Sequence, residues 1–178
     1  MALINTTTTG ILGTTVYGDG AGELTVQQNG VTINKVTKNP TFYAYPSVSM
    51  TISTGTWTKV AMQSEVFDTD SCYDTSNYRF LPTTPGYYLL TLTLTGTSST
   101  PSITRFIGSI AYNGDYGNGR VWDMTVTTSG NWIQSGSFIR YFDGSTTYAD
   151  PYTYMTGSGT LTIDFTQSKF TGTLVRAA

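Results

Sequence analysis

The side chains that usually perform catalysis are few in this chain. It has no histidine and a single cysteine, Cys72, among 178 residues. The absence of imidazole excludes Ser-His-Asp and Cys-His catalysis and the common imidazole metal sites. A lone cysteine cannot form an intrachain disulfide, which suits synthesis in a reducing cytoplasm. We predict no catalytic residue, no resident metal and no cofactor, so the chain is not expected to be an enzyme.

Carboxylates are the remaining groups with catalytic or metal-binding potential. The chain has eleven acids, and Asp68, Asp70 and Asp74 fall close together in one polar stretch. Such oxygens bind calcium when their spacing matches a known loop, which it does not here. No segment singles out a carboxylate pair for glycoside hydrolysis. An aspartate-based hydrolase therefore remains only a minor alternative.

Tyrosines near turn residues are candidates for ligand binding. Two stretches, residues 112–116 and 148–154, combine aromatic rings with asparagine, aspartate, glycine and proline. Aromatic rings in loops can stack on sugars, although ordinary hairpin loops have the same composition. The candidate loop contacts are Tyr112, Tyr116, Tyr148, Tyr152 and Tyr154.

Composition indicates which elements hold these side chains. The chain is 38% hydrophobic and only 11% charged, with 13 tyrosines and 19 glycines. Aromatic and threonine-rich segments favour pleated strands, and glycine favours turns, so an all-β fold is expected. A net charge of −2 without a basic stripe argues against nucleic-acid binding. No apolar run is long enough to predict a membrane span or a secretory signal.

The strongest strand pattern lies at residues 87–94. Tyr88, Leu90, Leu92 and Leu94 occupy alternate positions, and threonine fills the positions between the leucines. Period-two alternation is typical of a strand with one face in a core. Further strands are predicted at residues 103–112, 119–127, 137–142, 161–165 and 170–175, while the positions of strands in 125–160 stay open. Many short strands without helices indicate a sandwich or jelly roll.

The first 40 residues form a separate predicted segment, an extended arm and a β-hairpin before a jelly-roll domain at 41–178. Asn29-Gly30 is a two-residue hairpin turn signal that pairs Gln28 with Val31 and Val26 with Ile33. The segment before the hairpin is rich in threonine and glycine. Its apolar side chains are the candidate partner contacts: Leu3, Ile4, Ile11, Leu12, Val16 and Tyr17.

Several motifs in sequence order resemble the jelly-roll domain shared by tumour necrosis factor and the complement globular heads. They are Trp57-Thr-Lys-Val60, Phe67-Asp68, Asn77-Tyr-Arg-Phe80, Pro85-Gly-Tyr-Tyr88, Asn113-Gly114 and Phe170-Thr-Gly-Thr-Leu174. The resemblance covers about residues 42–176 and implies an antiparallel jelly-roll sandwich. It also implies a homotrimer that packs three aromatic, apolar inner sheets around a three-fold axis. No metal site is carried over.

The N-terminal segment is similar to a different group, the phage structural proteins. In these a Gly-Asp-Gly-x-Gly-x-Leu-Thr-Val run, here at residues 18–26, precedes a jelly roll. The chain has no heptad shaft or long repeat of the kind that a fibre needs. The resulting expectation is a capsid decoration, or cement, protein on the outer capsid surface of a virion, made in the host cytoplasm. Its arm would bind the major capsid protein; the alternative is a receptor- or glycan-binding tip of a phage tail or head fibre.

Overall fold

The computed structural model describes residues 14–18, 24–28, 31–36, 39–98, 103–126 and 130–178, and the side chains of the last three ranges. The chain divides into two compact units, Met1–Asn39 and Pro40–Ala178. The described strands pair antiparallel throughout, and the predicted all-β antiparallel fold is confirmed. Within the described residues, no helix has the length and apolarity needed to cross a membrane.

The first unit contains a three-stranded sheet in which the strands follow sequence order. Gln28 opposes Val31 as predicted, but Val26 opposes Asn34 instead of Ile33. The predicted register is wrong there because it shifts between Val26 and Gln27, which changes the side chains that share a face. Part of the predicted arm is itself a strand of this sheet. The strands are β1 (Thr14–Gly18), β2 (Leu24–Gln28) and β3 (Val31–Val36).

The second unit is a sandwich of two sheets, and the larger sheet is built around the strand predicted to be central. That strand, β10 (Gly86–Ser98), pairs with one strand on one side and with two on the other. Its neighbours are β13 (Gly130–Phe142), β15 (Leu161–Ile163) and β16 (Lys169–Ala177). Beyond β16 lie β4 (Thr41–Tyr45) and β7 (Ser64–Asp68), and beyond β15 lies β5 (Met50–Ile52).

The smaller sheet covers the other side of the core. Its two longest strands, β11 (Ile103–Tyr112) and β12 (Asp115–Thr125), form a hairpin. The turn residues Asn113 and Gly114 have φ values of 52° and 76°, so the predicted Asn-Gly turn is confirmed. The other strands are β6 (Thr58–Lys59), β8 (Tyr73–Asp74), β9 (Arg79–Phe80) and β14 (Ala149–Gly157). The main order is β12-β11-β14-β9-β8, with β6 also paired to β14.

Aromatic rings fill the centre of the core. Phe42 of β4 stacks on Phe80 of β9 with centroids 5.1 Å apart and meets Phe170 of β16 edge-on at 5.1 Å. Phe80 in turn meets Tyr88 and Phe142 edge-on, each at 5.0 Å. These contacts join strands of both sheets. The predicted core positions Tyr88, Leu90, Leu92 and Leu94 are all buried, with at most 2% of any residue exposed.

Two strands differ from their predicted extent. β13 begins at Gly130, well before the predicted residue 137, and β14 lies where only a tyrosine-containing loop was expected. In both strands the usual alternation is incomplete, because Gly136 of β13 and Thr153 of β14 face the core while Ile139 and Tyr152 face outward. Gly136 shows why: a Cβ there would lie 1.6 Å from the Trp122 ring, so the core has no room for a side chain.

We expect Leu90→Ala to reduce the free energy of unfolding by about 2–5 kcal/mol, because it leaves a cavity in a packed core. Leu90 is fully buried on β10. Denaturant unfolding followed by tryptophan fluorescence measures the change. Val121→Ala is the control, since Val121 is 41% exposed on β12. Equal losses in the two variants would contradict the assignment of β10 as the core strand.

Candidate functional surfaces

The side of the larger sheet that faces away from the core is apolar; we call it the open face. Of the eleven exposed large hydrophobic residues in the described part of the chain, six lie on this face. Tyr87 opposes Tyr141 and Leu89 opposes Ile139 across β10 and β13. Such a concentration on one sheet face marks an interaction surface. The open face comprises Tyr43, Phe67, Tyr87, Leu89, Ile133, Ile139 and Tyr141.

Four hydroxyl side chains of the open face are paired within the chain. The hydroxyls of Thr91 and Ser137 lie 2.7 Å apart, and those of Thr93 and Ser135 lie 2.9 Å apart. These two pairs form a hydroxyl ladder across β10 and β13. Hydroxyls that already bond to each other lose less on desolvation than free hydroxyls. The ladder is therefore compatible with burial against a partner.

A shallow groove crosses the open face beside the ladder. It has a volume of about 210 Å³ and lies between the side chains of Phe67 and Leu89. Threonines of three strands line it: Thr41, Thr91, Thr171 and Thr173. The mixture of apolar walls and hydroxyls suits an apolar side chain from another protein surface.

A second surface lies on the opposite side of the sandwich, on the outer face of the smaller sheet. Trp57 stacks on Tyr116 with ring centroids 4.6 Å apart and planes 13° from parallel. Tyr154 lies 5.2 Å from Trp57, and Tyr152 meets Tyr116 edge-on at 4.9 Å. We call these four half-buried residues the aromatic cluster. Three of them were predicted as contacts; Trp57, about 60 residues before Tyr116, was not.

Tyr152 and Tyr154 lie on β14 and not in a loop, which corrects their predicted placement; their role in ligand binding stays a prediction. Tyr148 precedes β14 in the expected loop, where the Arg79 guanidinium lies over its ring at 4.0 Å. Tyr112 is not part of the aromatic cluster. Its ring packs edge-on against Phe142 at 5.4 Å, and its hydroxyl donates to the Tyr141 carbonyl at 3.1 Å. The structure thus joins Tyr116, Tyr152 and Tyr154 and separates Tyr112 from them.

An ionic group lies beside the aromatic cluster. The Asp150 carboxylate is only 2% exposed and lies 2.8 Å from Lys59 Nζ and 3.5 Å from Arg79 Nε. Burial raises the pKa of Asp150, while the two cations oppose the rise. Burial and the negative charge of Asp150 also raise the pKa of Tyr152, so its hydroxyl stays neutral. Lys59 and Arg79 are more exposed than the acid that they neutralise.

Two aspartates of the 68–74 stretch bind their own loop, whereas Asp70 accepts hydrogen bonds from the hydroxyls of Thr83 and Thr84. Asp68 accepts hydrogen bonds from the backbone amides of Cys72 and Tyr73 at 3.0 and 2.8 Å. Asp74 accepts from the amides of Ser76 and Asn77, and the Asn77 side chain lowers its pKa. In the described residues no three His, Cys, Asp or Glu side chains are grouped to hold a metal ion. Asp68 and Asp74 act as local turn stabilisers.

The candidate partner contacts of the arm fall largely outside the described part of the chain. Leu3, Ile4, Ile11 and Leu12 are not among the described residues. Val16 and Tyr17 lie in β1, where their backbones pair with those of Val26 and Thr25. Their role in partner binding stays a prediction.

We expect the Cys72 thiol to react with a disulfide reagent such as DTNB only when the protein opens. The thiol is buried, and burial together with the nearby Asp68 carboxylate raises its pKa, so it stays protonated at pH 8. Native protein should react far more slowly than unfolded protein. The control is a Cys72→Ala variant that carries Phe165→Cys. Its single thiol lies at an exposed position and should react quickly in the native protein. Fast labelling of native Cys72 would contradict the buried placement.

No protein-family model matches the chain, and no curated protein matches it. Solved structures do. The globular domain of zebrafish complement 1qA is similar with a TM-score of 0.56 and 10% identity, over 78% of this chain and 99% of that chain. Murine APRIL at pH 5.0 is similar with a TM-score of 0.59 and 8% identity, over 78% of this chain and 100% of that chain. Eiger TNF from S. frugiperda is similar with a TM-score of 0.52 and 10% identity, over 79% of this chain and 93% of that chain. The chain therefore has the jelly-roll fold of the complement 1q and tumour necrosis factor domains.

Proposed function

We propose that the protein is a non-catalytic binding module that assembles as a homotrimer through its open face. The open face carries the proposal, because six large apolar side chains are exposed there on one sheet. Tyr87, 47% exposed, Ile139, 57% exposed, and Tyr141, 39% exposed, form its apolar end. A second copy of the same surface is a suitable cover, since homo-oligomers are commonly built by closed symmetry from apolar patches. The three-fold arrangement comes from the family resemblance.

We propose further that the trimer decorates a phage capsid. The support is the run at residues 18–26, which is similar to that of phage structural proteins. The arm, with Val16 and Tyr17, would bind the major capsid protein, and the jelly rolls would project from the outer capsid surface. A protein that binds only the assembled shell stabilises it by mass action.

A receptor- or glycan-binding fibre tip is the second candidate function. The aromatic cluster favours it, because Trp57, Tyr116, Tyr152 and Tyr154 lie together on the sheet opposite the open face. Packing through the open face would leave the aromatic cluster accessible on each subunit. The two candidates therefore use different surfaces and can be tested separately.

We expect Ile139→Glu to convert the trimer into monomers. Three glutamates buried at the centre of an apolar interface would be desolvated and mutually repulsive. Because Ile139 is exposed on the single chain, the monomer should keep its fold. Light scattering coupled to size-exclusion chromatography measures the mass, and circular dichroism measures folding. Val121→Glu on the smaller sheet is the control; a trimeric Ile139→Glu protein would rule out this face.

We expect deletion of residues 2–22 to leave a soluble trimer that no longer binds capsids. The deletion removes the candidate contacts and β1 but keeps the whole Pro40–Ala178 unit. Co-sedimentation with purified capsids measures occupancy, and mass measurement checks the trimer. Unchanged occupancy would contradict the capsid role of the arm without affecting the trimer proposal.

A further inference from the structure

One strand arranges aromatic and charged side chains in a single row. Tyr148, just before β14, and then Asp150, Tyr152 and Tyr154 occupy alternate positions, while Ala149, Pro151, Thr153 and Met155 are buried on the core side. Alternate strand residues lie about 7 Å apart, so the row from 148 to 154 spans about 20 Å. The strand thus fixes the spacing between two ends of the row. The aromatic end is the aromatic cluster, and the cationic end is Asp150 with Lys59 and Arg79.

The aromatic end is held in place before any ligand arrives. Trp57 stacks on Tyr116 with ring centroids 4.6 Å apart, and the Tyr154 ring is tilted against it at 5.2 Å. Rings that are fixed in this way lose little conformational entropy on binding. Their faces carry negative partial charge and attract C–H groups that carry positive partial charge. The C–H faces of a pyranose ring have this property.

The cationic end presents positive charge to solvent. The side chains of Lys59 and Arg79 are 24% and 29% exposed, against 2% for Asp150. Lys59 Nζ lies 2.7 Å from the Asn77 carbonyl and 2.8 Å from Asp150 Oδ1. An ammonium has three donors, so one remains for a ligand. The buried acid holds both cations in place, and each cationic side chain stays partly exposed.

Lys59 connects the two ends. It opposes Tyr152 directly in the β6–β14 pairing, and Tyr152 meets Tyr116 edge-on at 4.9 Å. A ligand with an apolar ring face and an anionic group about one sugar unit away would contact both ends together. Proline-rich peptides supply ring faces but no anion, so charge complementarity favours a different ligand.

We propose that the row formed by the aromatic cluster, Lys59 and Arg79 is a binding site for an acidic glycan. A pyranose ring stacks on the aromatic cluster, and the carboxylate of a neighbouring uronic acid residue binds Lys59 and Arg79. The site lies within one jelly roll and on the side opposite the open face, so it requires neither the trimer nor the capsid. It supplies a ligand class for the fibre-tip candidate, whose surface it shares.

The test is binding of the full-length protein to an array of uronic acid oligosaccharides, with the methyl ester of each as its uncharged match. Galacturonate, glucuronate, mannuronate and guluronate oligomers are the probes. We expect at least one acid to bind, with its ester bound roughly tenfold more weakly and with binding reduced by added salt. Binding of no acid, or equal binding of acid and ester, would overturn the proposal. Binding of a proline-rich peptide in place of the glycans would also overturn it.

Variants connect the binding to the site. Trp57→Ala and Tyr154→Ala should each weaken binding roughly tenfold, because each removes a stacking ring. Trp57→Phe keeps a ring and should retain part of the affinity, which covers the case in which Trp57→Ala does not fold. Phe165→Ala, at an exposed aromatic residue outside the row, is the matched control. Wild-type affinity in both Trp57→Phe and Tyr154→Ala would place the ligand elsewhere and overturn the site.

The charged end has its own variant. Replacing Lys59 alone would leave Asp150 buried with one cation fewer, so the pair is changed together as Lys59→Gln with Asp150→Asn. We expect this double variant to keep its fold and to show a smaller preference for acid over ester, because Arg79 remains as the one cation of the site. Preserved preference in the folded double variant would show that Lys59 does not bind the carboxylate and would overturn the charged half of the proposal.

Discussion

The aromatic contacts between Phe42, Phe80 and Phe170 hold the two sheets of the sandwich together, and both functional surfaces depend on them. Phe42 comes from the larger sheet and Phe80 from the smaller one, and their rings stack at 5.1 Å. Each ring buries a large apolar area, and the ring pair adds a geometric preference beyond that area. Since a sheet that packs on one face leaves its other face free, these contacts determine which residues point outward. The open face and the aromatic cluster are the two outward faces of the same sandwich.

The two surfaces suit different kinds of partner. The open face combines exposed leucine, isoleucine and tyrosine with internally paired hydroxyls, which is the composition expected of a protein–protein interface. The aromatic cluster is smaller and lies next to two partly exposed cations over a buried acid. A small site of stacked rings with a few polar groups is typical of small-ligand recognition. Location on opposite sheets lets one subunit use both surfaces at once.

The sequence predicted the fold where its strands follow the usual alternation. Tyr88, Leu90, Leu92 and Leu94 face the core of β10 as their spacing indicates, and the Asn113-Gly114 turn has the positive φ values that these residues favour. Prediction failed at β14, where Ala149 and Thr153 are buried while Tyr152 and Tyr154 face outward. Alternation rules assume that the larger apolar residue faces the core, and β14 departs from this rule. Trp57 was missed because only the pairing of β6 with β14 brings it to the tyrosines.

The hydroxyl ladder between β10 and β13 has a consequence for the order of assembly. Thr91 with Ser137 and Thr93 with Ser135 satisfy each other inside a single chain. These four hydroxyls therefore do not need a partner chain to complete their hydrogen bonds. In the proposed trimer, each chain can therefore complete these polar contacts before it associates, so the proposed assembly would depend on chain concentration while the fold would not.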